Sequence, residues 1–223
     1  MINIALDGPA GSGKSTVAKE IAKKLDILYL DTGAMYRACA LKCIKAGVSV
    51  KNEKEVAPIV DSIDLKIAYE NGSQITLLDG ENVSSAIRKP EVSMLASDIS
   101  ALKCVRLKMV EMQRKIAGQM DCILDGRDIG SYVLPDAKYK FFITADSRIR
   151  AERRFNELKA RGEVVDFDKL HEEIKLRDYN DSHREFAPLK KAENAIEIDT
   201  SEMSVQEVTN KILSFIKDKN NVV

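Results

Sequence analysis

The chain has 223 residues, and its 35 Lys and Arg residues balance its 35 Asp and Glu residues, so the formal net charge is zero. This length allows one sizeable core with an appended part, or two small domains. The charge argues against a protein that binds nucleic-acid polymers or is held on a membrane by basic residues. The N-terminal apolar stretch reaches Asp7 too early for a signal peptide, and no apolar run is as long as a membrane span.

The first predicted elements are a strand, a glycine-rich loop and a helix. Ile2, Ile4 and Leu6 alternate with other residues as in a buried strand, and apolar residues at helical spacing cover 16–25. Between them, residues 8–15 read GPAGSGKS, which fits the pattern G-x-x-x-x-G-K-[ST]. A strand, this loop and a helix in succession predict a pocket for a nucleoside triphosphate.

The composition of this loop suits phosphate binding. Backbone N–H groups of such a loop turn inward around an anion, and the first donors of the following helix add partial positive charge. Lys14 would place a cation near the outer phosphates, and the Ser15 hydroxyl would be a ligand of Mg²⁺. The predicted nucleotide-binding residues are Gly8, Pro9, Ala10, Gly11, Ser12, Gly13, Lys14, Ser15 and Thr16. The alternative is a glycine-rich turn that only links a strand to a helix.

Strands and helices then alternate along the chain. Further apolar runs bounded by turn or cap residues are 27-ILYL-30, 121-DCILDG-126, 139-YKFFITA-145 and 195-AIEID-199. Helical patterns occur at 34–46, 148–159 and 205–216. This alternation predicts an α/β fold in which a parallel sheet carries helices on both faces, with binding groups at the carboxyl ends of the strands.

One segment departs from this alternation. Residues 65–83 alternate apolar and polar side chains around Asn71-Gly72, a dipeptide typical of hairpin turns. We therefore predict a small antiparallel insert, followed by a helical stretch that runs through Val92 and Leu107.

The four cysteines show no C-x-x-C spacing and lie within apolar runs: Cys39, Cys43, Cys104 and Cys122. Metal ligation would lack a nearby pair of histidines. We expect small buried thiols in a reducing compartment, and therefore a cytoplasmic protein.

Arginines follow several of the predicted strands. Three stretches place an arginine near an aspartate, namely 31-DTGAMYR-37, 125-DGRD-128 and 177-RDYNDSHR-184, and Arg88 and Arg106 add to them. The planar guanidinium fork suits phosphate oxygens, so this set indicates a second phosphorylated ligand beside the one in the loop. Two phosphate sites that face each other predict phosphoryl transfer; the alternative for each arginine is a surface ion pair.

The helical stretch 148-RIRAERR-154 carries another group of arginines. Arg150, Arg153 and Arg154 share one side of the predicted helix, and Arg161-Gly162 follows as a plausible hinge. The functional interpretation is a mobile lid that brings cations over the transferred group. The alternative is a solvated charged face.

The stretches GPAGSGKST, DTGAMYR, ILDGRDIG and RDYNDSHR, in this order, resemble the bacterial-type cytidylate (CMP) kinases over nearly the whole chain. The resemblance implies transfer of the γ-phosphoryl group of ATP to CMP, and also to dCMP, with Mg²⁺, by a monomer that binds neither nucleic acid nor membrane. It implies a P-loop NTPase core (1–37, 101–147 and 176–223), an acceptor-binding region that contains the β insert (38–100) and a short lid (148–175).

The resemblance also implies roles for individual residues. The acceptor phosphate would meet Arg37, Arg127 and Arg184. The cytosine would be faced by Ser97, Arg106 and Asp128. The sugar would lie toward Asp181 and Arg177. The full expected acceptor-binding set is Thr32, Arg37, Arg88, Ser97, Arg106, Arg127, Asp128, Arg177, Asp181 and Arg184, and the expected catalytic set is Lys14, Arg127, Arg150 and Arg154. Some family members lack a hydroxyl after the P-loop lysine, so the metal role of Ser15 rests on the motif.

Two alternatives to this function belong to different classes. A kinase of the same architecture could act on UMP or on an acceptor that is not a nucleotide. A GTP-binding switch protein would need an N-K-x-D motif, whereas the one Asn-Lys pair, Asn210-Lys211, is followed by Ile-Leu in a helical pattern.

Overall fold

The computed structural model describes the backbone of residues 1–70 and 72–220, with side chains as far as residue 216. The chain forms two compact units. Unit 1 consists of residues 1–29 together with the described part from residue 120 onward, and unit 2 consists of residues 30–119.

The described residues form strands and helices in the following order. The strands are β1 (Asn3–Asp7), β2 (Leu28–Asp31), β3 (Leu65–Glu70), β4 (Ser73–Leu78), β5 (Glu81–Asn82), β6 (Cys122–Gly126), β7 (Tyr139–Thr144) and β8 (Ile196–Asp199). The helices are α1 (Lys14–Leu25), α2 (Thr32–Lys45), α3 (Glu53–Asp61), α4 (Pro90–Ile99), α5 (Lys103–Ala117), α6 (Ser147–Ala160), α7 (Phe167–His183) and α8 (Val205–Asn220). A 3₁₀ turn covers Ala86–Arg88, and a π-helical turn covers Ile129–Val133.

A five-stranded sheet in the order β2-β6-β1-β7-β8 organises unit 1, and the division between the units falls within β2. β1 pairs in parallel with β6 on one side and with β7 on the other, so that Asp7 lies opposite Gly126 and Phe142. Since parallel strands end at the same edge, the loop after β1 begins beside the segment that follows β6.

The core of unit 1 lies where α1 and α8 cover this sheet. Ile4 and Leu6 of β1 pack with Ile21 of α1 and Ile212 of α8, and all four are fully buried. β1 is buried on both faces, as expected of a central parallel strand, which is why it reads as a nearly continuous apolar run.

α6 and α7 form a helical pair with a small core of its own, in which Leu158 packs with Leu170 and Ile174. Each helix begins at an aspartate whose carboxylate accepts a backbone N–H of the first turn: Asp146 for α6 and Asp166 for α7. Gly162, in the link between the helices, has φ +79°.

Unit 2 contains the antiparallel insert and four helices. β3 and β4 pair from Leu65 with Leu78 to Glu70 with Ser73, and the short β5 extends the sheet beyond β4. Of the hairpin dipeptide, Gly72 has φ +72°, whereas Asn71 lies outside the described residues.

The predicted fold class is confirmed: a parallel sheet with helices on both faces and a small antiparallel insert. Every apolar run predicted as a strand forms one, with bounds within two residues of those expected. α3 and β5 are additions that the sequence pattern did not predict. Cys39, Cys43 and Cys122 are buried as expected, whereas Cys104 is partly exposed. Across the described residues, no helix has the length and apolar character needed to cross a membrane.

Candidate active site

The glycine-rich loop connects the end of β1 to the start of α1, and its first residue has to be glycine. Gly8 has φ +148°, and a Cβ placed there would lie 1.9 Å from the backbone oxygen of Ile143 in β7. Any side chain would therefore push the loop away from the neighbouring strand. The loop is held tightly against the sheet at this point.

The loop leads directly into the N-terminus of α1. Gly13 is the N-cap residue, and no side chain caps the helix there. The backbone N–H groups of the first turn therefore remain available to an anion, and the helix dipole adds partial positive charge at the same place.

Lys14 is buried beneath this loop. Its Nζ donates hydrogen bonds to the backbone oxygen of Pro9 at 2.6 Å and to Oγ of Ser12 at 3.3 Å. Burial, followed by the positive charge of Arg127, lowers the pKa of the Lys14 ammonium, while Asp125, Asp7 and Asp181 oppose this shift. A bound phosphate would supply the additional negative charge that this ammonium lacks.

Asp7, at the end of β1, anchors the segment that follows β6. Its two carboxylate oxygens accept the backbone N–H groups of Ile129 and Gly130, each at 2.7 Å. Burial raises the pKa of Asp7 to about 7, although these two hydrogen bonds oppose the shift. The contact fixes the π-helical turn directly after Arg127 and Asp128, and so helps to place these two residues.

A second carboxylate that the sequence analysis missed lies beside the P-loop hydroxyl. Ser15 Oγ donates to Oδ2 of Asp125 at 2.5 Å, and the Tyr29 hydroxyl donates to Oδ1 at 3.2 Å. Asp125 is the first residue of the DGRD stretch and directly follows the apolar residues of β6, so its position in the sequence could have indicated it. A hydroxyl and a carboxylate are oxygen donors of the kind that Mg²⁺ prefers.

Arg127 and Asp128, which follow β6, are each paired with a residue at the far end of α7. Nε of Arg127 lies 2.7 Å from Oδ2 of Asp181, and Nη2 of Arg184 lies 3.4 Å from Oδ1 of Asp128. Burial lowers the pKa of Arg127, but Asp181 and other carboxylates outweigh it and raise that pKa overall. Four of the predicted acceptor-binding residues are thus brought together in unit 1.

Arg177, also on α7, is exposed, and its charge helps to keep Asp181 ionised. Burial would raise the pKa of Asp181, but Arg127, Arg177 and Arg184 together lower it below its ordinary value of 3.8.

The arginines of α6 lie in three different environments. Arg150 is buried and donates hydrogen bonds to other parts of unit 1. Arg153 donates to the backbone oxygen of Thr200 at 2.6 Å. Arg154 is 41% exposed and pairs with Glu157 on its own helix at 2.7 Å. Of Arg150 and Arg154, the two expected catalytic residues of this helix, Arg154 therefore has the more exposed side chain.

In unit 2, two of the predicted acceptor residues lie at the start of α2. Asp31 accepts the backbone N–H of Ala34 as the helix cap, and its other oxygen pairs with Arg37 at 2.8 Å. Its own backbone N–H donates to Gln74 of the insert at 2.8 Å. Thr32 is buried beside this cap. The motif DTGAMYR therefore forms a capped helix start that presents an arginine one turn later.

The other predicted residues of unit 2 lie on the segments after the insert. Arg106 is 1% exposed, donates to the backbone oxygen of Ser100 at 3.2 Å and lies over the Tyr36 ring, 5.4 Å from its centroid. Ser97 is half-buried in α4, and Arg88 is exposed at the end of the 3₁₀ turn.

Comparison with known structures identifies the architecture. A shikimate kinase from Bacteroides thetaiotaomicron superposes with a TM-score of 0.52, with 97% of this chain and 98% of that chain covered at 13% sequence identity. An uncharacterized protein from Eubacterium ventriosum gives 0.53 at 16% identity, with 97% and 99% covered. At these identities the likeness establishes the fold alone.

Comparison with known sequences is far closer. A cytidylate kinase from Caldicellulosiruptor bescii is 51% identical over 223 residues, which cover 100% of this chain and 99% of the relative. One from Clostridioides difficile is 50% identical over 213 residues, which cover 96% and 97%. The family model described as cytidylate kinase matches residues 4–218. With the P-loop, the strand-end arginines and the insert in place, the chain belongs to the cytidylate kinase family.

Proposed function

We propose that this protein transfers the γ-phosphoryl group of ATP to CMP, and to dCMP, giving ADP and the corresponding diphosphate. An oxygen of the acceptor phosphate attacks the γ-phosphorus, and the bond from that phosphorus to the β–γ bridging oxygen breaks. The observation that carries the proposal is that β1 and β6 are neighbours in the sheet, with Asp7 opposite Gly126, so the loop that leads to Lys14 and the segment that carries Arg127 start side by side at the same edge. A cation suited to the donor and an arginine suited to an acceptor phosphate therefore belong to one site in unit 1.

The donor phosphates would bind to the loop of residues 8–15 and to the first turn of α1. Lys14 would leave the backbone oxygen of Pro9 to meet the outer phosphates, and would neutralise the charge that develops as the γ-phosphoryl group moves. Its burial strengthens this effect, because water does not screen the charge there.

The acceptor phosphate would bind to Arg127 and Arg184, with Arg37 assigned to the same ligand. Arg127 would meet both the acceptor and the transferred group, because it directly follows β6, whose end lies beside the end of β1 where the nucleotide-binding loop begins. The acceptor oxygen is already negatively charged, so the reaction needs positioning and neutralisation of charge more than a general base.

Recognition of the base is assigned to Asp128, with Ser97 and Arg106 as its partners in the family pattern. Cytosine presents a 4-amino donor beside the N3 and O2 acceptors, so a carboxylate and a guanidinium match its edge. Uracil has an acceptor where cytosine has the amino group, which disfavours UMP. Asp181 and Arg177 are assigned to the sugar, while Thr32 and Arg88 complete the proposed acceptor set.

Mg²⁺ fits the donor side of this site. Ser15 and Asp125 would hold it, and their oxygens are already in contact at 2.5 Å. The ion would neutralise negative charge on the β- and γ-phosphates. Arg154 is the exposed lid cation that we assign to the transferred group, and Arg150 is considered below.

A panel of acceptors tests the proposal. ADP production from ATP is measured with CMP, dCMP, UMP, AMP and shikimate, with and without EDTA. We expect turnover with CMP and dCMP that EDTA abolishes and added Mg²⁺ restores. Faster turnover with UMP, AMP or shikimate would show that the acceptor has been assigned wrongly.

A variant separates the donor role from the acceptor role. Lys14→Ala should reduce turnover by about 10²-fold or more while leaving the affinity for CMP nearly unchanged, because Lys14 acts on the donor side. Full activity in the folded variant would remove the loop from the mechanism. The sedimentation coefficient of the wild-type protein tests the expectation that it is a monomer.

A further inference from the structure

Arg150 of α6 is buried and fully engaged in hydrogen bonds, whereas a lid cation would need an exposed guanidinium to reach a phosphate. Its side chain is 6% exposed. Nε donates to the backbone oxygen of Ala145 at 2.9 Å, Nη1 donates to that of Ala10 at 3.0 Å, and Nη2 donates to Oδ2 of Asp178 at 2.6 Å. One guanidinium therefore joins the segment after β7, the P-loop and α7.

A buried guanidinium is costly unless its charge and its donors find partners. Asp178 supplies the opposite charge, and the two carbonyl oxygens accept further N–H groups. Arg148, two residues earlier on the same helix, is 69% exposed and only 3.6 Å from Glu152. The burial of Arg150 is thus specific to its position and is not a property of arginines on α6.

The contact with Ala10 fixes the orientation of a peptide group in the P-loop. The C=O and N–H of a trans peptide point in opposite directions, so a carbonyl of Ala10 held by Arg150 turns the N–H of Gly11 away from α6. Gly11 also lies close to that helix, since a Cβ placed on it would be 3.3 Å from Cβ of Arg150, and its φ is +74°. An N–H whose peptide group is already held in one orientation loses less conformational freedom when it binds an anion.

The contact with Asp178 reaches the acceptor side of unit 1. Asp178 lies one turn before Asp181 on α7, and Asp181 pairs with Arg127 at 2.7 Å. Asp178 also contributes, after Asp181 and Asp125, to the raised pKa of Arg127. Helix α7 therefore carries carboxylates toward both Arg150 and Arg127.

We propose that Arg150 is a positioning residue, which holds the Gly11 amide for the donor phosphates and keeps the P-loop in register with α7. This inference deepens the proposed function and rests on it: Arg150 acts through the loop, and the transferred phosphoryl group meets Lys14, Arg127 and Arg154 instead.

The test compares Arg150→Lys, which keeps the charge but loses the planar fork, with Arg148→Lys as the matched control on the same helix. For Arg150→Lys we expect kcat to fall about tenfold or more and the dissociation constant of ATP, measured by calorimetry without acceptor, to rise about tenfold. KM for CMP should stay within about twofold, because the direct contacts of the acceptor are retained. Arg148→Lys should match the wild type in all three quantities.

Asp178→Asn supplies a second, milder perturbation, since the amide keeps an oxygen acceptor but loses the charge. We expect kcat to fall by about threefold or more, and the double variant to be less impaired than the product of the single effects, because both changes break one contact. Melting temperatures are measured in parallel, and all assays run well below them.

Each outcome decides the inference. An Arg150→Lys protein that melts earlier but keeps kcat and ATP affinity within about twofold of wild type would show a structural role only and overturn it. If Arg150→Lys fails to fold, unchanged kcat in Asp178→Asn overturns it in the same way. Failure of the wild type to phosphorylate CMP would refute the proposed function, whereas loss of ATP affinity in Arg150→Lys would still support the positioning of the loop.

Discussion

The sharpest prediction concerns Asp128, because the proposed selectivity for cytosine depends on its charge. Asp128→Asn keeps the size of the side chain, removes the negative charge and introduces an amide that can donate to O4 of uracil or accept from the 4-amino group of cytosine. We expect kcat/KM to fall for CMP and to fall much less, or to rise, for UMP.

The burial of Asp128 sets the magnitude. The residue is 4% exposed, so hydrogen bonds made there are not readily replaced by water. A bond to a charged acceptor contributes about 1.5–3 kcal/mol and one between neutral groups about 0.5–1.5 kcal/mol, so CMP should lose about 1 kcal/mol. For UMP, the free energy that determines kcat/KM should improve by about 1 kcal/mol. In the wild type, O4 of uracil and the carboxylate are both acceptors and share no proton, whereas the amide of Asn can donate to O4. The ratio of the two kcat/KM values should therefore narrow by about 2 kcal/mol, which is about 30-fold.

The assay measures both substrates with one preparation, so that the ratio does not depend on the active fraction. Asp128 pairs with Arg184 at 3.4 Å, and the substitution also weakens this pair. Arg184 is assigned to the phosphate, which CMP and UMP share, so this effect cancels in the ratio. Arg127→Lys is the control, for which we expect similar losses with both substrates. Equal losses for CMP and UMP in Asp128→Asn would refute the reasoning and move base recognition to other residues.

Two further predictions concern the backbone of the glycine-rich loop and the ion pair between Asp181 and Arg127. Gly8→Ala would place Cβ 1.9 Å from the backbone oxygen of Ile143, so the loop must move by about 1 Å, and kcat/KM should fall on the order of 10²-fold. Gly47 also has a positive φ, +67°, but a Cβ placed there would have no atom within 4 Å, so Gly47→Ala should cost about 1 kcal/mol of stability and leave activity unchanged; equal activity in the two variants would contradict this account. Asp181→Asn should lower the free energy of unfolding at pH 7 by about 2 kcal/mol, since Arg127 loses a hydrogen bond to a charged acceptor. Because the folded-state pKa of Asp181 lies below 3.8, this difference should persist down to about pH 4 and disappear as the wild type is protonated below it, and a difference that stays constant in urea titrations at lower pH would refute it.

The order of elements could be predicted because the core of unit 1 is built from segments with clear apolar patterns. β1, β6 and β7 are almost wholly buried, and a short apolar run between turn residues is the expected signature of such strands. α3 was missed because it has only two buried residues, Val56 and Val60, and a proline at position 58. A helix with so narrow a buried face gives little periodic signal.

The candidate site was predictable where a motif fixes both residue type and backbone geometry. The loop pattern predicts Lys14 and Ser15 because only a few spacings can wrap backbone N–H groups around a phosphate. Asp7 and Asp125 follow no such pattern. Their contacts with Ile129 and with Ser15 span 122 and 110 positions of the chain, so only the packing of parallel strands brings them together. The sequence alone offered a rule that could have suggested them, namely that polar residues at the carboxyl ends of such strands lie at the binding edge.

The arginines of α6 show why residue type and spacing do not determine a role. Arg150 and Arg154 are four positions apart, and helical geometry puts such residues on the same face. Nevertheless, the side chain of Arg150 is 6% exposed and that of Arg154 is 41% exposed. The difference arises because the first turn of α6 lies against the P-loop, where Ala10 accepts a hydrogen bond from Arg150, whereas Arg154 pairs with Glu157 one turn further along its own helix. Two arginines with the same apparent signal therefore receive different proposed roles, one through the backbone of the loop and the other through direct contact with a phosphate.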